Sequence, residues 1–138
     1  MSDSATLAAQ IVTRSRQITN TINELIAGQD DISDDILELQ MRKGDGKAID
    51  EALLKRLVEA RKAAATEIGV LAMERTELLD DVPIIRLATG RIKVVTEKLD
   101  KDAELIKRTE EKLKRVTKAI ENAEKVLGVL IRLAAIVV

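Results

Sequence analysis

A chain of 138 residues, 46% hydrophobic and 34% charged, has the size of one domain and too much apolar content for disorder. Its formal charge of −1 gives no overall pull toward nucleic acid or an anionic membrane. It contains no Cys, His, Phe, Tyr or Trp. That removes zinc fingers, iron–sulfur clusters, disulfides, the histidine base, the cysteine nucleophile and any aromatic platform for a base or flavin.

The apolar spacing is helical along nearly the whole chain. Leu7, Ile11, Ile18, Ile22 and Leu25 form one stripe, with Arg14 or Ser15 in its gap, and predict a helix over about 5–27. Gly28 suits the left-handed residue that closes such a helix. A short helix over 34–42 carries Ile36, Leu37, Leu39 and Met41, and "KGDGK" at 43–47 reads as a turn. A long helix over 48–79 places Leu53, Leu57, Ala60, Ala64, Ile68 and Leu71 near one face, and Pro83 stops it. The last helix, 84–136, shows strict 4-3 alternation from Ala88 to Val137 in which only Asp102 and Thr109 are polar. Such a seam predicts left-handed coiled-coil packing, with the two polar residues setting register and partner number. At 1.5 Å per residue this helix spans about 75 Å.

A hairpin folded symmetrically about Pro83 places Ala48 opposite roughly Thr117. Everything beyond, including "VLGVLIRLAAIVV" at 126–138, then overhangs unless another segment covers it. That tail is apolar all round and needs burial by protein or lipid. Thirteen helical residues reach about 20 Å, short of a hydrocarbon core of about 30 Å, so the tail alone is no transmembrane span. Charge divides along the chain. Residues 1–83 hold 10 Lys/Arg against 16 Asp/Glu, a net of −6, and residues 84–138 hold 13 against 8, a net of +5.

Asp30, Asp31, Asp34 and Asp35 fit the pattern D-D-x-x-D-D, which resembles the aspartate-rich motif of isoprenoid synthases. That resemblance implies Mg²⁺ held by Asp31, Asp34 and Asp35, which spacings of three and four put on one helical face. The competing reading is a helix junction: Ser33 caps a new helix, Asp34 and Asp35 face its positive end, and Ile32 staples to Leu37. The junction explains more of the stretch. Glu110, Glu111, Glu121 and Glu124 loosely resemble the acidic helices of all-α nucleotide pyrophosphohydrolases. Lysines four residues on from Glu110 and Glu121 make a solvated surface the better account.

The expected fold is therefore all-α: a single domain over 1–138, an elongated antiparallel helical bundle or coiled-coil hairpin of three long helices, the first interrupted near residues 28–33. The expected function is non-catalytic: a coiled-coil interaction or scaffolding protein without a cofactor, which self-associates as a homo-oligomer or binds a helical partner. Its contact surface is Leu127, Leu130, Ile131, Leu133, Ile136 and Val137. A membrane-active protein of the pore-forming-toxin type is the alternative, and a Mg²⁺-dependent hydrolase the third. No nucleic-acid partner is expected. The N-terminus lacks a basic stretch followed by an apolar one, so the expected location is cytoplasmic.

Overall fold

The computed structural model describes residues 4–79 and 103–137. They form three α-helices that pack against each other: α1 (Ser4–Gly44), α2 (Glu51–Leu79) and α3 (Ala103–Val137). Among the described residues there is no strand. The predicted stop at Pro83, the first part of the last helix and Asp102 lie outside the described residues.

The all-α expectation holds, with one correction. α1 runs unbroken through residues 28–33, so Gly28 closes nothing and Ser33 caps nothing. The physical reason lies in a seam that continues across the glycine. Counting in 4-3 steps from Leu7 gives 7, 11, 14, 18, 21, 25, 28, 32, 35 and 39, and each of these is buried or half-buried. Local propensity would favour a break at Gly28 by about 1 kcal/mol, but burying the leucines and isoleucines on either side contributes about 1.5–3 kcal/mol each. Tertiary packing wins.

α1 ends at Gly44, and Gly46 in the turn beyond it adopts φ +78°. Lys47 N–H donates to the Arg42 carbonyl at 3.0 Å and Gly46 N–H to the Lys43 carbonyl at 3.1 Å. These are the two hydrogen bonds of a Schellman closure, which satisfies carbonyls that the helix end leaves without partners. Asp50 then begins α2. Its Oδ1 accepts from Leu53 N–H at 3.0 Å and its carbonyl from Leu54 N–H at 3.1 Å, which is an N-cap. An exposed ion pair between Lys43 and Glu51 at 2.9 Å spans the turn.

The chain divides into two compact units, each built from pieces of all three helices. One holds α1 to Thr19, α2 from Leu71 and α3 to Ile120. Its core is Leu7, Ile11, Ile18, Leu71, Leu78, Leu113, Val116 and Ile120, with Thr109 fully buried among them. Arg115 ties α3 to α2 there: Nε lies 3.1 Å from both Glu74 oxygens and Nη2 lies 2.6 Å from Glu77 Oε2. Lys112 donates to the Glu77 carbonyl at 3.3 Å, so α2 and α3 run antiparallel. This pairing is not symmetric about Pro83, which corrects the even count around that residue.

The other unit holds α1 from Asn20, α2 to Val70 and α3 from Glu121. Its core is Ile22, Leu25, Ile32, Ile36, Leu39, Leu53, Leu57, Ala60, Ala64, Ala123, Leu130 and Leu133. Gln29 Nε2 donates to the Arg61 carbonyl at 3.1 Å, linking α1 to α2 beside the residues where a break was expected. At Gly28 the helices meet closely. A Cβ built there would stand 2.9 Å from Leu130 Cδ1 and 3.8 Å from Leu127 Cδ1. The glycine is a notch that receives Leu130.

Two substitutions test this account by denaturant unfolding followed by far-UV circular dichroism. Gly46→Ala should cost about 1–2 kcal/mol, because the left-handed conformation is strained for any residue with a Cβ. Gly28→Ala gains about 1 kcal/mol of helix propensity but overpacks against Leu130 by about 1–3 kcal/mol, for a net loss of about 1 kcal/mol. Placed in a Leu130→Ala background, the same substitution should become stabilising. Equal effects in both backgrounds would remove the notch from the account.

Candidate functional site

The predicted contact surface at the end of α3 splits in two. Leu130 and Leu133 are 1% and 2% exposed, so they belong to the chain's own core and offer nothing to a partner. Leu127 is half-buried against the Gly28 notch. Ile131 and Ile136 stand 62% and 56% exposed, and Val129, which the sequence reading did not single out, is also exposed. The side chain of Val137 lies outside the described residues. The tail therefore does not overhang: one of its faces is buried by this chain, while other apolar side chains meet solvent.

α1 shows the same split. Of the four apolar residues predicted for the short helix, Ile36 and Leu39 are core, while Leu37 and Met41 are exposed. Ile26 is exposed too. Seen only as apolar residues in sequence, the exposed and buried members look alike. The 4-3 count carried through Gly28 takes in Leu39 and passes over Leu37 and Met41, while Ile36 is buried although it stands one residue off the count.

Asp31, Asp34 and Asp35 do share one stretch of continuous helix, as their spacing implies. Asp31 and Asp34 are exposed and Asp35 is half-buried. Among the described residues no group of three acidic side chains is arranged to hold a metal ion. Carboxylates at i, i+3 and i+4 on one helix approach from one side only, whereas a hard cation takes six or more oxygens around it. Instead the cluster makes an unfavourable field. Burial pushes the Asp35 carboxyl above its ordinary value of 3.8, and the charges of Glu38, Asp31 and Asp34 push it further the same way. Arg42 pairs with Glu38 one turn on and offsets part of that charge.

An open surface cleft of roughly 370 Å³ is lined by Gln10, Arg14, Glu110, Leu113, Lys114 and Thr117. Arg14 Nη1 donates to Gln17 Oε1 at 2.7 Å, along its own helix. Thr109, predicted to set register, is fully buried on the α3 seam. Among the described residues no helix is long and apolar enough to cross a membrane. No protein-family description, curated protein or solved structure matches the chain.

The raised pKa of Asp35 has a definite sign for stability. The folded state holds the proton more tightly than the unfolded chain, so the charged carboxylate costs stability above its folded pKa. That cost fades as pH falls through the folded pKa and is gone below the unfolded value of 3.8. Asp35→Asn removes two like-charge pairs, with Asp31 and Glu38, worth about 0.2–0.5 kcal/mol each. It should stabilise the protein by about 0.5 kcal/mol at neutral pH, with the gain closing in strong acid. A gain that persists unchanged in acid would place its origin elsewhere.

Proposed function

We propose that this chain is a non-catalytic helical interaction protein, which self-associates or binds a helical partner through its last helix and apolar tail. The observation that carries this reading is the pairing of buried Leu130 and Leu133 with exposed Val129, Ile131 and Ile136 in one short segment. A helix that only closes its own bundle presents polar residues outward; one apolar on further faces is suited to a second surface. Exposed apolar groups on α1 at Ile26, Leu37 and Met41 support the same reading. Lone exposed aliphatic residues are common on proteins; here three of them concentrate within the last helical turns.

Removing the whole tail is a poor test, since it deletes Leu130 and Leu133 from the core at about 2–5 kcal/mol each. The sharper variant is Ile131→Glu with Ile136→Glu, which leaves the buried face intact. Light scattering with refractive-index detection, needed because the chain has no Trp or Tyr, should show mass rising with concentration for the natural chain and a constant monomer for the variant. A variant that associates like the natural chain would overturn the use of this surface. Leakage of dye from liposomes by the natural chain, lost in the variant, would replace the interaction reading with a membrane-active one.

A further inference from the structure

Within the unit formed by α1 from Asn20, α2 to Val70 and α3 from Glu121, two exposed stripes match each other in pattern and in charge. On α1, Ile26, Asp30 and Leu37 lie within about 40° of one another around the helix, with Asp34 about 40° further round. On α3, Val129, Arg132 and Ile136 lie within about 60°. Ile26 and Leu37 are 43% and 56% exposed, Val129 and Ile136 are 38% and 56% exposed, and Asp30, Asp34 and Arg132 are all exposed. Each stripe reads apolar, charged, apolar, with acid at the centre of one and base at the centre of the other. Asp30, Asp34 and Arg132 enter no ion pair among the described residues; Arg132 Nε donates only to the Gly128 carbonyl of its own helix, at 3.3 Å.

Resting on the self-association reading above, we infer that the α1 stripe of one copy receives the α3 stripe of a second copy of this chain, with Arg132 set between Asp30 and Asp34. The heights of the stripes support this occupant. α1 antiparallel to α2 and α2 antiparallel to α3 make α1 and α3 parallel, and the Gly28 notch sets their levels: residue 28 faces residue 130, an offset of 102 in numbering. The matched residues keep nearly that offset: Ile26 with Val129 differs by 103, Asp30 with Arg132 by 102, and Leu37 with Ile136 by 99. At 1.5 Å per residue the worst mismatch is about 4.5 Å, within the reach of a side chain. Two copies standing side by side and pointing the same way therefore meet with acid level with base and apolar level with apolar, without sliding. The contact is heterologous, because different surfaces of the two copies meet. The charges select register and partner, while the apolar residues supply the burial. A stripe of about three turns covers less than a standard interface, so the association belongs to the weak class.

Charge reversal tests the inference on the full chain. Asp30→Lys with Asp34→Lys makes both stripes basic, and Arg132→Glu makes both acidic. All three positions are on the surface, and far-UV circular dichroism with thermal melts confirms folding before use. Sedimentation equilibrium should show each variant alone associating at least about tenfold more weakly than the natural chain. An equal mixture should recover the natural strength, since each basic stripe then meets an acidic one. Variants that associate as the natural chain does, or a mixture no stronger than its components, would overturn the inference. If that happens while Ile131→Glu with Ile136→Glu still abolishes association, the tail is an interface of another geometry and the proposed function stands. A natural chain that remains monomeric across the series removes the inference and the self-association together.

Discussion

A core built without a single aromatic ring depends on how closely its helices approach. Leucine, isoleucine, valine and alanine fill less volume than phenylalanine or tryptophan, so close packing requires the helix axes to draw together at the small residues. Ala60, Ala64, Ala119 and Ala123 provide such positions, and Gly28 provides another. There the missing Cβ admits Leu130, which is almost fully buried. In the unit that holds α3 from Glu121, this contact sets the register of α1 against α3. A glycine within a long helix is locally costly, and here it is tolerated because the contact it permits extends into the core on both sides.

That register also decides which apolar residues are free. With Leu130 in the notch, Leu133 turns into the core and Val129, Ile131 and Ile136 turn away from it. The apolar tail is thus neither wholly internal nor wholly available. The same rotation applied to α1 buries Ile36 and Leu39 and exposes Leu37 and Met41. The surface from which a function is proposed is a consequence of core packing, since the residues it uses are those that the seam leaves over.

Charge plays a secondary part in the fold. The Arg115 bracket on Glu74 and Glu77 joins α2 to α3, and because the Arg115 side chain is exposed it contributes on the order of 1 kcal/mol or less. The acidic run at residues 30–38 is unfavourable in itself, as the raised pKa of Asp35 records. A helix retaining so many like charges on its outer face is consistent with a use for them outside the monomer, and Arg132 on α3 is the complementary charge.

Much of the fold was legible in the amino-acid order. The all-α class followed from helical spacing, and Leu7, Ile11, Ile18, Ile22 and Leu25 are all core, as are Leu53, Leu57, Ala60, Ala64 and Leu71. Those residues repeat at intervals that only a helix brings to one side, so no tertiary information was needed. The turn at 43–47 was legible, but the continuity of α1 through Gly28 was not, because Gly28 and Gly46 carry the same local signal. Deciding between them requires knowing that Leu130, more than a hundred residues away, lies against the first. The pairing of α2 with α3 was likewise beyond a count around Pro83, since register is chosen by which side chains fit across the interface. The same holds for the candidate surface: composition identified an apolar tail, but only the packed helices separate the leucines that close the core from the isoleucines that remain outside. Periodicity is a property of one helix and is written in its own residues, whereas register belongs to a pair of helices and exists only once they have met.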